Sequence, residues 1–146
     1  MISLHPVNHK DGNLFADSSY ETMPSELMRE MIDASLAKMH DGSFFELFAV
    51  MDDALCVGFV SLYGLSDTEI SCGPEIKPQY RKQGFAYHAV TLAMKYAKQI
   101  GYIKASAQVR RDNTASVALH HKLGFHVCGE GINKKGNPVF WFEKGL

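Results

Sequence analysis

The hexapeptide Arg81-Lys82-Gln83-Gly84-Phe85-Ala86 sets two cations and a glycine directly before a stretch whose apolar residues recur at helical spacing. The first N–H groups of such a helix lack intrahelical partners and carry partial positive charge, so an anion is favoured there. Gly84 and the small Ala86 let a ligand approach the backbone closely. Arg81 offers phosphate a planar fork and Lys82 a point charge. The chemistry implied is the cradling of a diphosphate. On these residues alone several phosphate ligands fit, and many such glycines simply turn the chain.

These side chains must be positioned by a strand, a short loop and a long helix between Glu69 and Ile100, with Phe85, Ala89, Leu92, Ala93, Tyr96 and Ile100 on one helix face. Before them, Ile2 to His5 reads as a strand stopped by Pro6. A helix begins after Pro24, with Leu27, Met28, Met31, Ile32, Ser35, Leu36 and Met39 at helical spacing, and is expected to stop at Asp41-Gly42. Phe44 to Met51 and Leu55 to Tyr63 read as a hairpin around Asp52-Asp53-Ala54, whose two carboxylates either attract a cation or serve only the turn. Gly73-Pro74 predicts a bulge or break in the strand Glu69 to Ile76, since Pro cannot donate to a ladder. After Gly101, Ile103, Ala105, Ala107 and Val109 alternate as one face of a strand. Asp112 or Asn113 would cap a helix running to Leu123, with Gly124 as its stop, and Phe125 to Cys128 and Val139 to Glu143 form a last pair of strands. The expected fold is a single mixed α/β domain over residues 1 to 146, with one central sheet.

Composition is ordinary for a soluble globular protein, at 46% hydrophobic and 21% charged. Cys56, Cys72 and Cys128 are odd in number and widely spaced, so neither a disulfide framework nor a zinc site is indicated, and the histidines form no metal set. No export signal or membrane span is legible, and a cytoplasmic location is expected. Residues 1 to 76 carry 13 acids against 3 Lys plus Arg, and residues 77 to 146 carry 3 against 12, giving formal charges of −10 and +9. That split would draw a polyanion to the second half and a cation to the first. Nucleic acid is not an expected partner, because the basic half lacks a dense run of Lys/Arg interleaved with aromatics.

Two motifs together are specific. Arg81, Gly84 and Ala86 match the pattern Gln/Arg-x-x-Gly-x-Gly/Ala, preceded by Ile76 and Pro78, and Asn113, Ser116, Leu119, Lys122, Gly124 and Phe125 match Asn-x-x-Ala/Ser-x-x-Leu-Tyr-x-Lys-x-Gly-Phe. In that order and at that separation they resemble the GNAT superfamily of acetyl-CoA-dependent N-acetyltransferases. The likeness is close over the second half; the first half agrees only in its order of elements. It implies a twisted, mostly antiparallel sheet flanked by helices, with strands splayed at the acetyl-CoA site and no metal. It further implies that backbone N–H groups after Ile76 and along Gln83, Gly84, Phe85 and Ala86 hold the cofactor, that Arg81 and Lys82 help at its phosphates, and that Asn113 bonds the pantetheine arm. An ordinary helix cap is the competing reading of Asn113.

The family's thiolate-protonating Tyr is replaced here by His120, which either donates the proton instead or is a surface helix residue beside His121. For the general base, the family's usual positions fall on Gln108, Ile70 and Cys72, none of them useful. Glu75 ranks first and Glu69 second, on the other strand parity unless a bulge re-aims one, and a water chain could replace both. Cys72 is read as packing, so direct transfer in a ternary complex is expected, with no covalent relay. The resemblance and the acidic first half together imply acetyl transfer to a small-molecule primary amine. A peptide or protein N-terminus is one rival acceptor, and a non-catalytic acyl-CoA sensor a rival function. Oligomeric state is not specified, and a homodimer is compatible with the sequence.

Overall fold

Seven strands assemble into one sheet in a computed structural model that describes residues 1–146. In chain order these are β1 (Ile2–Pro6), a 3-10 turn (Gly12–Phe15), α1 (Ser25–Ala37), β2 (Phe45–Asp52), β3 (Leu55–Gly64), β4 (Glu69–Ile76), a second 3-10 turn (Pro78–Tyr80), α2 (Phe85–Gln99), β5 (Lys104–Arg110), α3 (Thr114–Lys122), β6 (His126–Ile132) and β7 (Pro138–Gly145). The strand order is β1-β2-β3-β4-β5-β7-β6. Every neighbouring pair is antiparallel except β4 and β5, which are parallel because α2 crosses between them.

The pairing of β4 with β5 is short, running only from Glu69↔Lys104 to Ser71↔Ser106. Beyond it β4 follows β3 as far as Ile76, and β5 follows β7 to Arg110, so a gap opens between them. Pro74 sits on that open side. The Lys77 N–H donates to the Val57 carbonyl, and ladder partners alternate, so the backbone edges of Cys72, Pro74 and Ile76 face away from β3 and into the gap. A missing Pro donor costs nothing there.

The bulge expected at Gly73-Pro74 is absent, since β3 and β4 pair without a shift from Gly58↔Ile76 to Gly64↔Ile70. The irregularity lies one strand earlier, where Val57 is the extra residue between Gly58↔Val50 and Cys56↔Met51. This extra residue inverts the side-chain alternation of β3, so Cys56 and Phe59 share one face and Val57 and Val60 the other.

Two cores result, one on each face. Beneath α2 lie Val50, Val60, Leu62, Ile70, Ala105, Val109 and Phe142, against the small side chains of Ala89, Ala93 and Ala97. The opposite face packs Leu47, Ala49 and Phe59 against Val7, Phe15 and Ile32 of α1 and its approach, with Phe15 stacked on Phe59 at 4.8 Å. Each full burial of such a side chain contributes roughly 1.5–3 kcal/mol. The buried stripe of α2 is Ala89, Val90, Ala93, Met94 and Ala97, rotated from the expected face, and Ile100 is exposed. Alanine at the seam lets the helix approach the sheet more closely than Leu92 or Ile100 would. On α1, Leu27 and Leu36 are likewise exposed, as is Met39 just beyond its end. That helix ends at Lys38, left-handed at φ 55°, whose N–H caps Ala34 and Ser35, three residues before the expected stop at Asp41.

Candidate active site

Between β4 and α2 the chain makes two left-handed steps, Lys82 at φ 63° and Gly84 at φ 81°. The Arg81 Nε donates to the Ile76 carbonyl at 3.1 Å and closes the loop on its own strand. No N–H from Lys82 to Tyr87 donates to a protein acceptor, so six consecutive donors remain available, with no acid in the first turn of α2. A Cβ at Gly84 would meet nothing within 4 Å. Glycine is demanded there by its backbone angle, and the space beside it is open for a ligand. The donor set and the open space fit the diphosphate of a CoA-type cofactor. Lys122 Nζ lies 4.6 Å from the Tyr87 ring centroid, so α3 borders the same mouth as α2.

Asn113 is the N-cap of α3. Its Oδ1 accepts from the Ser116 N–H at 3.1 Å, which is the capping reading, and leaves Nδ2 as a free donor. His120 is buried and corrects the surface alternative; the exposed member of the pair is His121. The His120 ring packs edge-on to Phe125 and tilted against Phe142. Burial pushes its imidazole below the usual histidine range, outweighing the hydrogen bond to Ser116, which acts the other way.

On the face opposite α2, the sheet beyond β3 has no helix over it. A cleft of about 530 Å³ occupies this face, lined by Glu69, Ser71, Lys104, Ser106, Gln108, Trp141 and Glu143. Glu69 accepts from the Ser106 hydroxyl. The Lys104 ammonium lies 2.8 Å from Glu143 and 3.8 Å from Glu69. Its hydrogen bond holds the Glu143 carboxyl below the usual range and raises its own pKa.

Glu69 and Glu75 share this face without any re-aiming, because β4 alternates regularly, while Ile70 and Cys72 point into the α2 core. They differ in engagement. Both Glu75 oxygens are occupied by Ser19, the backbone N–H at 2.7 Å and the hydroxyl at 2.5 Å. Burial pushes the Cys72 thiol up to about 12, in keeping with packing. At the hairpin turn, Asp52 and Asp53 lie 3.3 and 3.2 Å from the Met1 amino group. No group of three or more His, Cys, Asp and Glu side chains converges as for a metal ion. No helix is long and apolar enough to cross a membrane.

Sequence reasoning missed Ser19, Lys77, Ser106, Trp141 and Glu143. The buried Lys77 donates to the Leu14 carbonyl at 2.7 Å, stitching the first 3-10 turn to the end of β4. For Trp141 and Glu143 a signal existed in the period-2 alternation of β7. For Ser19 there was none, because its partner is 56 residues away.

Comparison with known proteins bears on this geometry. A spermidine N-acetyltransferase from Vibrio cholerae, in complex with CoA and spermine, superposes with a TM-score of 0.80 at 18% identity, covering 99% of this chain and 95% of that one. A Salmonella typhimurium acetyltransferase that modifies the N-terminal serine of a 50S ribosomal subunit protein gives 0.79 at 14% identity, over 99% and 95%. At these identities the likeness is one of fold. In sequence, an aminoglycoside N(6')-acetyltransferase type 1 from Acinetobacter genomosp. 13 is 39% identical over 54 residues. That alignment spans only 37% of each chain. Residues 2–126 match the family described as acetyltransferase (GNAT) domain. That match covers most of the chain, including the splayed strands and the loop before α2, and the chain belongs to the GNAT acetyltransferase family.

Proposed function

We propose that this chain transfers an acetyl group from acetyl-CoA to a primary amine of a small molecule, by direct transfer in a ternary complex, with residues 1–146 acting as one catalytic domain. The observation that carries this reading is the three-residue pairing of β4 with β5. The gap it leaves has unpaired N–H groups at its mouth and an acid-lined cleft on the open sheet face.

Acetyl-CoA, when bound, supplies an activated acyl thioester. The N–H groups of Gln83, Gly84, Phe85 and Ala86 would hold its diphosphate, with Lys82 and the remaining guanidinium N–H groups of Arg81 adding charge. Asn113 Nδ2 and the Ile76 N–H, which faces the gap, are donors for the pantetheine arm. His120, neutral with its proton on Nδ1, would act at Nε2 by taking up a proton there and passing it to the departing thiolate; the solvent access of Nε2 follows from its having no protein partner while no fully buried polar atom is left unpaired. Glu69 takes the proton of the incoming amine, because its engagement leaves more acceptor capacity than that of Glu75. Glu75 anchors the Ser19 segment beside the gap.

The test is mass-spectrometric detection of free CoA and acetylated product, using purified protein, acetyl-CoA and a panel of polyamines, aminoglycosides, amino acids and short peptides. Small-molecule acetylation is the expected result. Transfer to peptides alone would assign the chain to N-terminal acetylation. Acetyl-CoA binding without transfer to any amine would favour a sensor.

A further inference from the structure

Trp141 is the only tryptophan of the chain, 40% exposed, and it lines the cleft. It pairs directly with Gly129 of β6 and with Gln108 of β5. A Cβ at Gly129 would stand 3.0 Å from indole Cε3, and one at Gly131 only 2.2 Å from Cη2. The indole therefore reaches across β6 with the edge of its six-membered ring in space that glycine leaves free. The ring is partly exposed to the cleft, and the indole N–H donates to no protein acceptor.

The charges around the ring define what it would take. Glu69 and Glu143 bring two carboxylates to the cleft and Lys104 one ammonium, leaving one negative charge. A flat aromatic face beside net negative charge favours an ammonium group on a saturated skeleton. The reacting nitrogen of an acceptor cannot be that group, since it must be neutral to attack. A second amino group is needed.

Resting on the acetyltransferase reading above, we propose that Trp141, packed against Gly129 and Gly131 and flanked by Glu143, recognises a second, non-reacting ammonium group, so that the acceptor is a diamine, polyamine or amino sugar. Trp141 is on this account a specificity residue, outside the proton transfers. A diamine should exceed the monoamine of equal length in kcat/KM by about 3- to 30-fold, the range a cation–π contact supplies.

The experiment uses the indole as its own probe. Intrinsic fluorescence of the whole protein is followed while cadaverine, spermidine, the equal-length monoamine pentylamine and neutral pentanediol are titrated in, without cofactor and with CoA. A saturable spectral change is expected with the two polyamines, weakened by 0.5 M salt and absent with pentanediol. In turnover, Trp141→Ala should raise the KM for the diamine about 3- to 30-fold while leaving that for acetyl-CoA and for the monoamine in place, and Trp141→Phe should recover part of the loss. Gly131→Ala keeps the fluorophore but fills the space its ring edge occupies, and should abolish the spectral response. A silent indole in protein that acetylates diamines overturns the proposal, as does a Trp141→Ala enzyme with unchanged diamine KM. A saturable response without any transfer upholds the recognition site and removes the acetyltransferase reading instead.

Discussion

His120 Nδ1 donates to the Ser116 carbonyl oxygen 2.7 Å away, one turn earlier in α3. A carbonyl only accepts, so the proton is on Nδ1 and the neutral ring presents its lone pair at Nε2. Burial is the main reason the imidazole titrates below the usual 6.5. An unfolded chain would bind a proton at this position before the native one does. Stability therefore rises with pH between the folded pKa and about 6.5, and is lost as pH falls through that window. Thermal melts between pH 5 and 7 should show this slope, flattened in His120→Gln, and a ring-proton NMR titration should place the midpoint below 6.5. His120→Ala should lower turnover by roughly 100-fold, the low end for acid–base catalysis, with acetyl-CoA affinity retained. Unchanged turnover would remove His120 from the mechanism.

Glu75 and Glu69 separate by mutation. If Glu75 acts through Ser19, Ser19→Ala and Glu75→Gln should impair turnover similarly and change the protease sensitivity of the segment around Ser19. Glu69→Gln should leave that segment intact while lowering kcat, since the amide cannot accept the amine proton. A Glu75→Gln loss far exceeding that of Ser19→Ala would return the base to Glu75.

Gly84→Val tests the loop. The left-handed backbone disfavours any side chain by about 1–2 kcal/mol, and a branched one would also fill the open space beside the unpaired donors. Calorimetry should show acetyl-CoA affinity lowered by 10-fold or more, on the order of the backbone penalty alone, while the far-UV CD spectrum stays native.

Gly58→Ala tests the strand behind the site. Its Cβ would stand 2.2 Å from the Glu75 carbonyl oxygen and 2.9 Å from Ile76 Cα, both backbone atoms that cannot swing away. Overpacking of this kind costs roughly 1–3 kcal/mol. At about 2–4 °C per kcal/mol, the melting temperature should fall by several degrees. Because β4 carries Ile76, acetyl-CoA binding should weaken as well.

Features set by near neighbours are legible in the amino-acid sequence. The loop before α2 depends on Gly84 and on helix-terminal N–H groups, the start of α3 on Asn113 accepting from Ser116, and its end on Gly124 at φ 89°. Strand alternation separates Glu69 and Glu75 from Ile70 and Cys72. Wherever two distant segments meet, local pattern is insufficient. Gly73-Pro74 has the composition of a bulge, yet Pro74 is tolerated because β5 has already diverged, and the true bulge falls at Val57, beside Gly58, where β3 meets β2. The buried stripe of α2 follows how closely Ala89, Ala93 and Ala97 approach the sheet, which helical period alone cannot say.

The sequence by itself determined the family, the glycine-bearing loop before α2 and the order of elements, because these rest on backbone conformation and contacts within a few residues. Tertiary structure alone decided which acid Ser19 engages, which histidine is buried and what Trp141 packs against. Ser19 reaches Glu75 across 56 residues, Phe142 of β7 covers His120, and Gly131 of β6 leaves room for the indole. Hydrogen-bond satisfaction and burial belong to such pairs, and exist only once the sheet has brought them together.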